Sequence, residues 1–202
     1  MEYDWIWCPD EISFQPSYSV HTPEFGKQSH GYRSAFWTFK LTLPPKAYDE
    51  RRAIEAFLAR TEGTAIVNVY DPRVAVPKIF ENAASPVIPG LSVSAMDRNA
   101  KTIDVSGVSG DVISQGDPIA FTQSNRRYYF KAMQDLTLSG AVQPLEVFIT
   151  PRETRAFAPV VANREKATCR FLIDINKIGG TTTVNKVTDF ELEGIEYWGT
   201  LT

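Results

Sequence analysis

The sequence predicts a mainly β fold with one amphipathic helix (α+β). In it, a discontinuous β-sandwich-like domain built from both chain ends carries an inserted small antiparallel β-barrel or β-sandwich domain. Three observations predict this: short β-rich runs recur along the chain, one stretch has helical periodicity, and neither chain end has enough strands to fold by itself. With 202 residues, 43% of them hydrophobic, the chain suffices for one large domain or two small ones.

Residues 36–43, FWTFKLTL, have the alternation of a half-buried strand. Trp37 and Phe39 point to one face, and Thr38 and Lys40 point to the other. The two prolines that follow remove two amide donors, so they end the strand and allow a helix to begin.

The helix is predicted over residues 46–62. Acidic residues fill its first turn and Arg60 its last, as the helix dipole favours, and Gly63 suits a left-handed stop. A second strand, TAIVNVY, follows and ends at the turn signal Asp71-Pro72. The apolar face of the helix recurs at steps of three and four residues: Ala53, Ile54, Phe57, Leu58 and Thr61.

The middle of the chain predicts a separate small β domain over residues 85–155. Residues 72–90 carry four prolines without a clean period and suit a connection between two packed units. Four strand-like runs then alternate with glycine-rich turns, which favours an antiparallel barrel or sandwich: KTIDVSGV, DPIAFT, RRYYFKAM and LEVFIT.

The two chain ends, residues 1–80 and 157–202, are predicted to complete each other as one discontinuous domain. The first 35 residues indicate short strands and loops, and RETRAFAPVVANRE beyond Pro151 indicates another loop-like connection. TCRFLIDI and VTDFELEGIEYW then add strands, too few to fold alone.

Composition argues against several classes of function. The formal charge of −3 gives no general electrostatic reason to hold nucleic acid, and no run of about 18 apolar residues predicts a membrane span. The acidic, aromatic N-terminus does not resemble a signal peptide. Cys8 and Cys169 lack metal-like or redox-like spacing, so a buried reduced thiol at Cys169 is favoured over a disulfide. We therefore expect no specific nucleic-acid binding and no membrane insertion.

Residues able to carry chemistry are few. The two histidines, His21 and His30, lie in a region rich in proline and glycine, and neither has a partner at metal-ligand spacing. GVSGD around Ser109 lacks the glycine placement of a nucleophile elbow and predicts a hairpin turn. GGTTT at 179–183 lacks the lysine of a phosphate-binding loop and predicts a hairpin connection. We expect no enzyme activity and no catalytic, cofactor or metal site.

One basic and aromatic cluster, NRRYYF at 125–130, allows two interpretations. Arginine and tyrosine together stack bases, bind sugars or form protein contacts. In the simpler interpretation, Tyr128 and Phe130 pack inward while Arg126, Arg127 and Tyr129 face outward. The N-terminal aromatics also exceed what a monomer readily buries. The candidate residues for an interface or a glycan contact are Trp5, Trp7, Arg126, Arg127 and Tyr129.

The order of aromatic strand, Pro-Pro, helix (YDERRAIEAFLARTEG) and strand (AIVNVYDP) resembles tail proteins of long-tailed (siphovirus-like) bacteriophages. It is similar in particular to their distal tail proteins. The resemblance covers residues 36–151 and, weakly, the C-terminal strands. Shared features in the second segment are Gly116-Asp117 before a strand, Tyr128 or Tyr129 in the next, Gly140 in a turn, and a strand that closes on Pro151.

The resemblance implies a structural subunit of the virion tail tip or baseplate, made in the bacterial host cytoplasm. A belt domain would pack side by side into a homo-oligomeric ring, expected to be a hexamer, with the small β domain projecting outward. The ring would join the tail tube protein to the baseplate hub, other tail tip proteins and a receptor-binding protein around a DNA-conducting lumen. The alternatives are a carbohydrate-binding module used in host adsorption and, with least support, a cell-wall hydrolase.

Overall fold

The computed structural model describes residues 2–4, 11–17, 20–21, 30–31, 35–43, 56, 64–174, 179–182 and 188–199. These residues form seventeen strands and two short 3-10 helices, Pro72–Val74 and Lys78–Phe80. The strands are β1 (Glu2–Asp4), β2 (Glu11–Ser17), β3 (Val20–His21), β4 (His30–Gly31), β5 (Phe36–Leu43), β6 (Thr64–Tyr70), β7 (Leu91–Asp97), β8 (Thr102–Gly107), β9 (Val112–Ile113), β10 (Pro118–Gln123), β11 (Arg126–Ala132), β12 (Leu136–Thr137), β13 (Gln143–Phe148), β14 (Arg155–Ala162), β15 (Thr168–Asp174), β16 (Gly179–Thr182) and β17 (Thr188–Glu196).

The prediction of a mainly β fold with antiparallel sheets is confirmed. The predicted amphipathic helix over residues 46–62 lies outside the described residues, except for Ala56, which is helical and exposed. That helix therefore stays a prediction. Within the described ranges, no helix has the length and apolarity needed to cross a bilayer.

The chain divides into two compact units. The first unit comprises Met1–Ser17, Phe36–Val69 and Arg170–Gly199 and is thus discontinuous. The second unit comprises Tyr18–Ala35, Tyr70–Cys169 and Thr200–Thr202. Its long continuous segment contains all the strands from β7 to β14, together with the proline-rich residues 72–90.

A seven-stranded sheet forms the first unit, in the order β1-β6-β15-β17-β5-β2, with β16 also paired to β17. β1 pairs with β6 in parallel, whereas β17 pairs with β5, and β5 with β2, antiparallel. Phe39 on β5 lies opposite Gly194 on one side and Phe14 on the other. Strands from the two ends of the chain therefore lie side by side at the centre of one sheet.

One face of this sheet is packed with aromatic rings, as the alternation of β5 predicts. Phe14, Trp37, Phe39 and Phe171 are all buried. The ring centroid of Phe14 lies 5.3 Å from Trp37 and 5.3 Å from Phe171, and Phe39 lies 4.7 Å from Phe171. In these tilted and edge-on orientations the quadrupoles of the rings attract each other. This attraction adds to the free energy gained by burying the apolar rings. N-terminal and C-terminal segments thus share one core.

The backbone also joins the two chain ends beyond the strand ladder. The paired register of β5 and β17 stops at Thr38 and Ile195. One residue further on, the amide of Trp37 donates a hydrogen bond to Oε2 of the buried Glu196 carboxylate at 2.9 Å. The Glu196 carboxylate thereby supplies a hydrogen-bond acceptor for the amide of Trp37, which lies beyond the paired part of the two strands.

The second unit contains a six-stranded antiparallel sheet in the order β10-β11-β13-β8-β7-β14. The sheet curls, because Ala120 in β10 and Asn163 just after β14 exchange two backbone hydrogen bonds of 2.9 and 2.7 Å. The predicted runs in this region correspond to β8, β10, β11 and β13. The curled antiparallel sheet is consistent with the predicted small β domain.

The prediction of a loop-like connection after Pro151 is wrong, because β14 spans Arg155–Ala162 and pairs with β7. Its composition misled the prediction: Pro159 lies in the register shift between Ala156 and Val160, where a proline does not remove a ladder hydrogen bond. Strand β7 was also not predicted. GGTTT provides strand β16, which pairs with β17, and is not only a hairpin connection.

Gly194 is expected to be essential to the aromatic core. A Cβ at this position would lie 3.0 Å from Cδ1 of Phe39, closer still to its Cε1, and 3.2 Å from Cβ of Phe171. We expect Gly194→Ala to lower the free energy of unfolding by about 1–3 kcal/mol, because the rings must shift in a close-packed cluster. All four tryptophans belong to the first unit, so tryptophan fluorescence during urea denaturation measures this loss selectively.

Gly90→Ala is the control, because a Cβ there meets nothing within 4 Å. In a Phe39→Leu background the smaller side chain leaves room, so Gly194→Ala should cost less than in the wild-type background. An equal cost in both backgrounds would show that the clash with Phe39 is not the cause.

Candidate assembly surfaces

The structure separates the five candidate residues predicted from the sequence. Trp5 and Trp7 lie outside the described residues, as does Cys8. Arg126 is exposed at the start of β11, and Arg127 is partly buried. The prediction that Tyr129 faces outward is wrong, because its side chain is 1% exposed.

Arg127 binds protein groups and is not presented to solvent as an open contact. Its Nε donates to the backbone oxygen of Thr168 at 3.1 Å and its Nη2 to the Thr168 hydroxyl at 2.8 Å. Its Nη1 donates to the hydroxyl of Thr122 at 3.2 Å. The guanidinium therefore links β10 and β11 to Thr168 within the second unit.

Tyr129 is buried because β11 is covered on both faces. On one face, Tyr128 stacks on Phe121 with ring centroids 5.2 Å apart, and Phe130 and Phe157 extend the cluster. On the other face, Lys131, which has the same strand parity as Tyr129, pairs with Asp71 at the start of the proline-rich segment. Tyr128 and Tyr129, the aromatic side chains that a carbohydrate-binding site beside Arg126 and Arg127 would use, are thus buried inside the second unit.

A buried carboxylate fixes the proline-rich segment to the sheet. Asp71, whose side chain is 1% exposed, accepts a hydrogen bond from Arg73 Nε at 2.9 Å and pairs with Lys131 Nζ at 3.2 Å. Burial by itself raises the pKa of Asp71, but the Arg73 hydrogen bond and the Lys131 charge outweigh it and lower the pKa below its ordinary value. Asp71 is therefore ionised and fully paired at neutral pH.

The Gly116-Asp117 pair closes a tight turn. Gly116 has a φ of +92°, which favours glycine, and the amide of Asp117 donates to the oxygen of Ser114 at 3.0 Å. The Asp117 carboxylate accepts from the amides of Ser114 at 2.9 Å and Lys78 at 2.8 Å. Asp117 thus ties this turn to the proline-rich segment, which is a structural role.

Arg164 completes this buried polar cluster. Its side chain is 1% exposed; Nη1 forms an ion pair with Asp111, and Nη2 donates to the oxygen of Val112 at 2.9 Å. Nη2 also lies 3.8 Å from Oδ2 of Asp117. Breaking a buried pair on one side leaves an uncompensated charge, so these groups are expected to be structurally costly to replace.

Tyr128 has a strongly shifted pKa. Burial and a 2.6 Å hydrogen bond from the Tyr128 hydroxyl to Glu153 Oε1 raise the pKa of Tyr128 to about 12. The hydroxyl therefore remains protonated at neutral pH and acts as a donor. This favours a structural role over that of a general base.

The remaining sequence candidates for chemistry lie on separate elements. His21 lies opposite His30 in the β3–β4 pair. Ser109 lies in a turn after β8, where Gly110 has a φ of +88°. The predicted hairpin is wrong, because the next strand, β9, pairs with β12 and not with β8. Cys169 is buried, as predicted. Among the described residues, no group of three or more histidine, cysteine, aspartate or glutamate side chains is placed to hold a metal ion.

The face of the first sheet opposite the aromatic core is open, and we call it the open face. Leu172 on β15 and Ile195 on β17 are directly paired there and are 37% and 54% exposed. Beside them, Lys40 Nζ lies 3.0 Å from Glu191 Oε2 and 3.3 Å from Glu193 Oε1. A groove of about 640 Å³ runs across this face, lined by residues of β2, β5, β15 and β17.

The sequence contained a signal for the open face that the prediction did not use. Leu172 and Ile195 are large apolar residues at strand positions whose neighbours on the same face are polar. Paired exposed apolar side chains surrounded by charges are typical of protein interfaces. The open face is therefore the candidate functional surface of the first unit.

Asp71 is expected to make the stability of the second unit dependent on acid. Because its folded-state pKa lies below the unfolded value, its contribution is fully present above that unfolded value, near pH 4, and is lost as the pH falls through the folded-state pKa. Urea denaturation followed by far-ultraviolet circular dichroism from pH 6 to pH 2.5 measures the loss. Asp71→Asn should show a shallower decline than the wild type.

Lys131→Met provides an intermediate case, since it removes one charge from Asp71 and leaves the Arg73 hydrogen bond in place. We expect its decline to lie between those of the wild type and Asp71→Asn. Identical pH profiles for the three chains would contradict the role assigned to Asp71.

In comparison with known proteins, the chain matches no family model and no curated protein sequence significantly.

Proposed function

We propose that the chain is a structural subunit of a phage tail tip or baseplate. Its copies form a ring that joins the tail tube to the hub and the receptor-binding proteins around a DNA-conducting lumen. The proposal takes its family from the sequence resemblance over residues 36–151. It takes its physical basis from the first unit.

One observation carries the proposal. Both chain ends meet in one sheet that has an aromatic core on one face and an open face with exposed Leu172 and Ile195 on the other. A close-packed core makes such a sheet resist deformation, and a ring closes only when every subunit holds the same angle to its neighbour. A rigid unit with an exposed mixed apolar and charged face suits that requirement.

In the proposed architecture, the first unit is the belt domain. The helix over residues 46–62 lies against the sheet and completes a sandwich-like layer, and the second unit is the inserted domain that projects outward. The cross-linked polar groups of the second unit, centred on Asp71, Asp117 and Arg164, support a rigid spacer or platform better than a flexible lid.

The charge of the chain is compatible with a lumen that conducts DNA. Proteins that neutralise phosphates with lysine and arginine bind DNA through counterion release, which would slow its passage. The formal charge of −3 gives no general attraction of this kind. A mildly acidic ring leaves DNA free to pass.

Mass photometry and negative-stain electron microscopy of the purified chain test the proposal. We expect a discrete species of about six times the 22.6 kDa chain mass, seen as closed rings, and a homogeneous ring size over a wide concentration range. Variants with charge introduced into the open face, Leu172→Glu and Ile195→Glu, should shift the population towards the monomer.

Both replaced side chains are partly exposed, so the variants should keep the tryptophan fluorescence of the folded first unit. Ile79→Glu is the matched control, because Ile79 is also 54% exposed but lies in the second unit. A wild-type chain that stays monomeric at all concentrations, and that is absent from assembled tails, would refute the proposed function.

A further inference from the structure

The two units carry opposite formal charges. The first unit has 8 basic and 13 acidic residues, giving −5, and the second unit has 13 basic and 11 acidic residues, giving +2. The modest charge of the whole chain therefore hides a strong internal asymmetry. Asymmetry of this kind steers association between unlike surfaces of separate molecules.

The positive charge of the second unit is concentrated at one end of its curled sheet, which we call the basic end: Arg98, Lys101, Arg126, Arg152 and Arg155. The turn after β7 brings Arg98 to the segment before β14, since the amide of Arg98 donates to the Thr154 hydroxyl at 3.1 Å. The Tyr128 hydroxyl reaches Glu153, next to Thr154, and also contacts Arg126. All five basic residues are exposed.

Acidic groups at this end are fewer, and two of them are engaged within the unit. Asp97 Oδ1 accepts from the amides of Asn99 and Ala100 at 2.7 and 3.2 Å, and Glu153 accepts from Tyr128. Glu146, on β13 opposite Thr102, is the third. Five basic residues against three acidic ones leave a positive surface.

The open face of the first unit has the opposite character. Glu191 and Glu193 share one ammonium group, that of Lys40, and remain 52% and 57% exposed. The hydrogen bonds that Lys40 donates to Glu191 and Glu193 raise the pKa of Lys40, so its ammonium group stays charged. These three side chains together therefore carry one excess negative charge. Leu172 and Ile195 beside the carboxylates offer the apolar centre that a stable interface requires.

We propose that the open face of one copy binds the basic end of a second copy, and that this contact joins neighbouring subunits of the assembly. The inference rests on the proposed function and names the surfaces by which the copies meet. Because two different surfaces meet, the contact is heterologous, and it generates a ring when the rotation between copies closes. In this contact, burial of Leu172 and Ile195 slows dissociation of the two copies. The opposite charges speed their encounter and fix the register in which they bind.

Charge reversal on each surface tests the contact. The first variant, Arg98→Glu/Lys101→Glu/Arg155→Glu, makes the basic end acidic; the second variant, Glu191→Lys/Glu193→Lys, makes the open face basic. Each variant alone presents like charges to its own copies, and we expect its self-association to weaken at least tenfold. Analytical ultracentrifugation and mass photometry measure the change.

Mixing the two variants provides the decisive measurement. In an equimolar mixture every contact between unlike chains joins opposite charges, so assembly should return, with the two variants alternating. Restoration also shows that both variants are folded. Single reversals at exposed positions elsewhere, Lys166→Glu and Glu81→Lys, are the matched controls and should leave assembly unchanged.

Salt gives an independent readout. The screening length falls from about 10 Å at 0.1 M to about 3 Å at 1 M, so wild-type association should weaken with rising sodium chloride. Controls at Lys166 and Glu81 should follow the wild-type salt profile.

The outcomes separate this inference from the proposed function. Wild-type rings that neither reversal disturbs would overturn the inference and leave the ring function intact. Restoration on mixing, but only into open chains, would support the contact and contradict the ring. Retention of a long polyphosphate by the wild type, lost in the first variant while assembly is unaffected, would instead assign the basic end to a polyanion and overturn the inference.

Discussion

The first unit depends on one constraint: the aromatic rings of the two chain ends must pack against each other. Phe14 and Phe39 come from the N-terminal part and Phe171 from the C-terminal part, and their rings lie about 5 Å apart on one face of the sheet. Gly194, opposite Phe39, leaves the space that this packing requires. The segments that form this core lie on both sides of the second unit in the sequence. The free energy of burying the rings is therefore gained only when both chain ends are in place, so the two ends stabilise each other.

The second unit is held together by a different kind of interaction. Its sheet is curled and its aromatic cluster is buried, while ionic and hydrogen-bonding groups tie the proline-rich segment to the rest of the unit. Asp71, Asp117 and Arg164 each bind two or more partners from different elements. Such groups are costly to bury and weak sources of net stability, yet they define one arrangement of the segment, because any other arrangement leaves a buried charge unpaired.

Much of the strand pattern could be predicted from local sequence, and the functional surfaces could not. The alternation of β5 and the branched and aromatic residues of β6 are local signals, and both strands appear with the predicted bounds. β14 was missed because the register shift that accommodates Pro159 arises only from pairing with β7. Tyr129 was misplaced for a related reason: alternation predicts two faces of a strand but not whether a distant segment covers the second face. The open face and the basic end combine residues far apart in sequence, so their charge pattern becomes visible only in the fold.

We propose from these features that the molecule acts through shape and charge matching between copies. Imaging of intact phage particles by cryo-electron microscopy, with this chain located by a bound antibody fragment, tests that claim most directly. The account predicts a ring of identical subunits in contact with one another at the distal end of the tail. Particles in which the chain is absent, or present as isolated copies that do not touch one another, would contradict it.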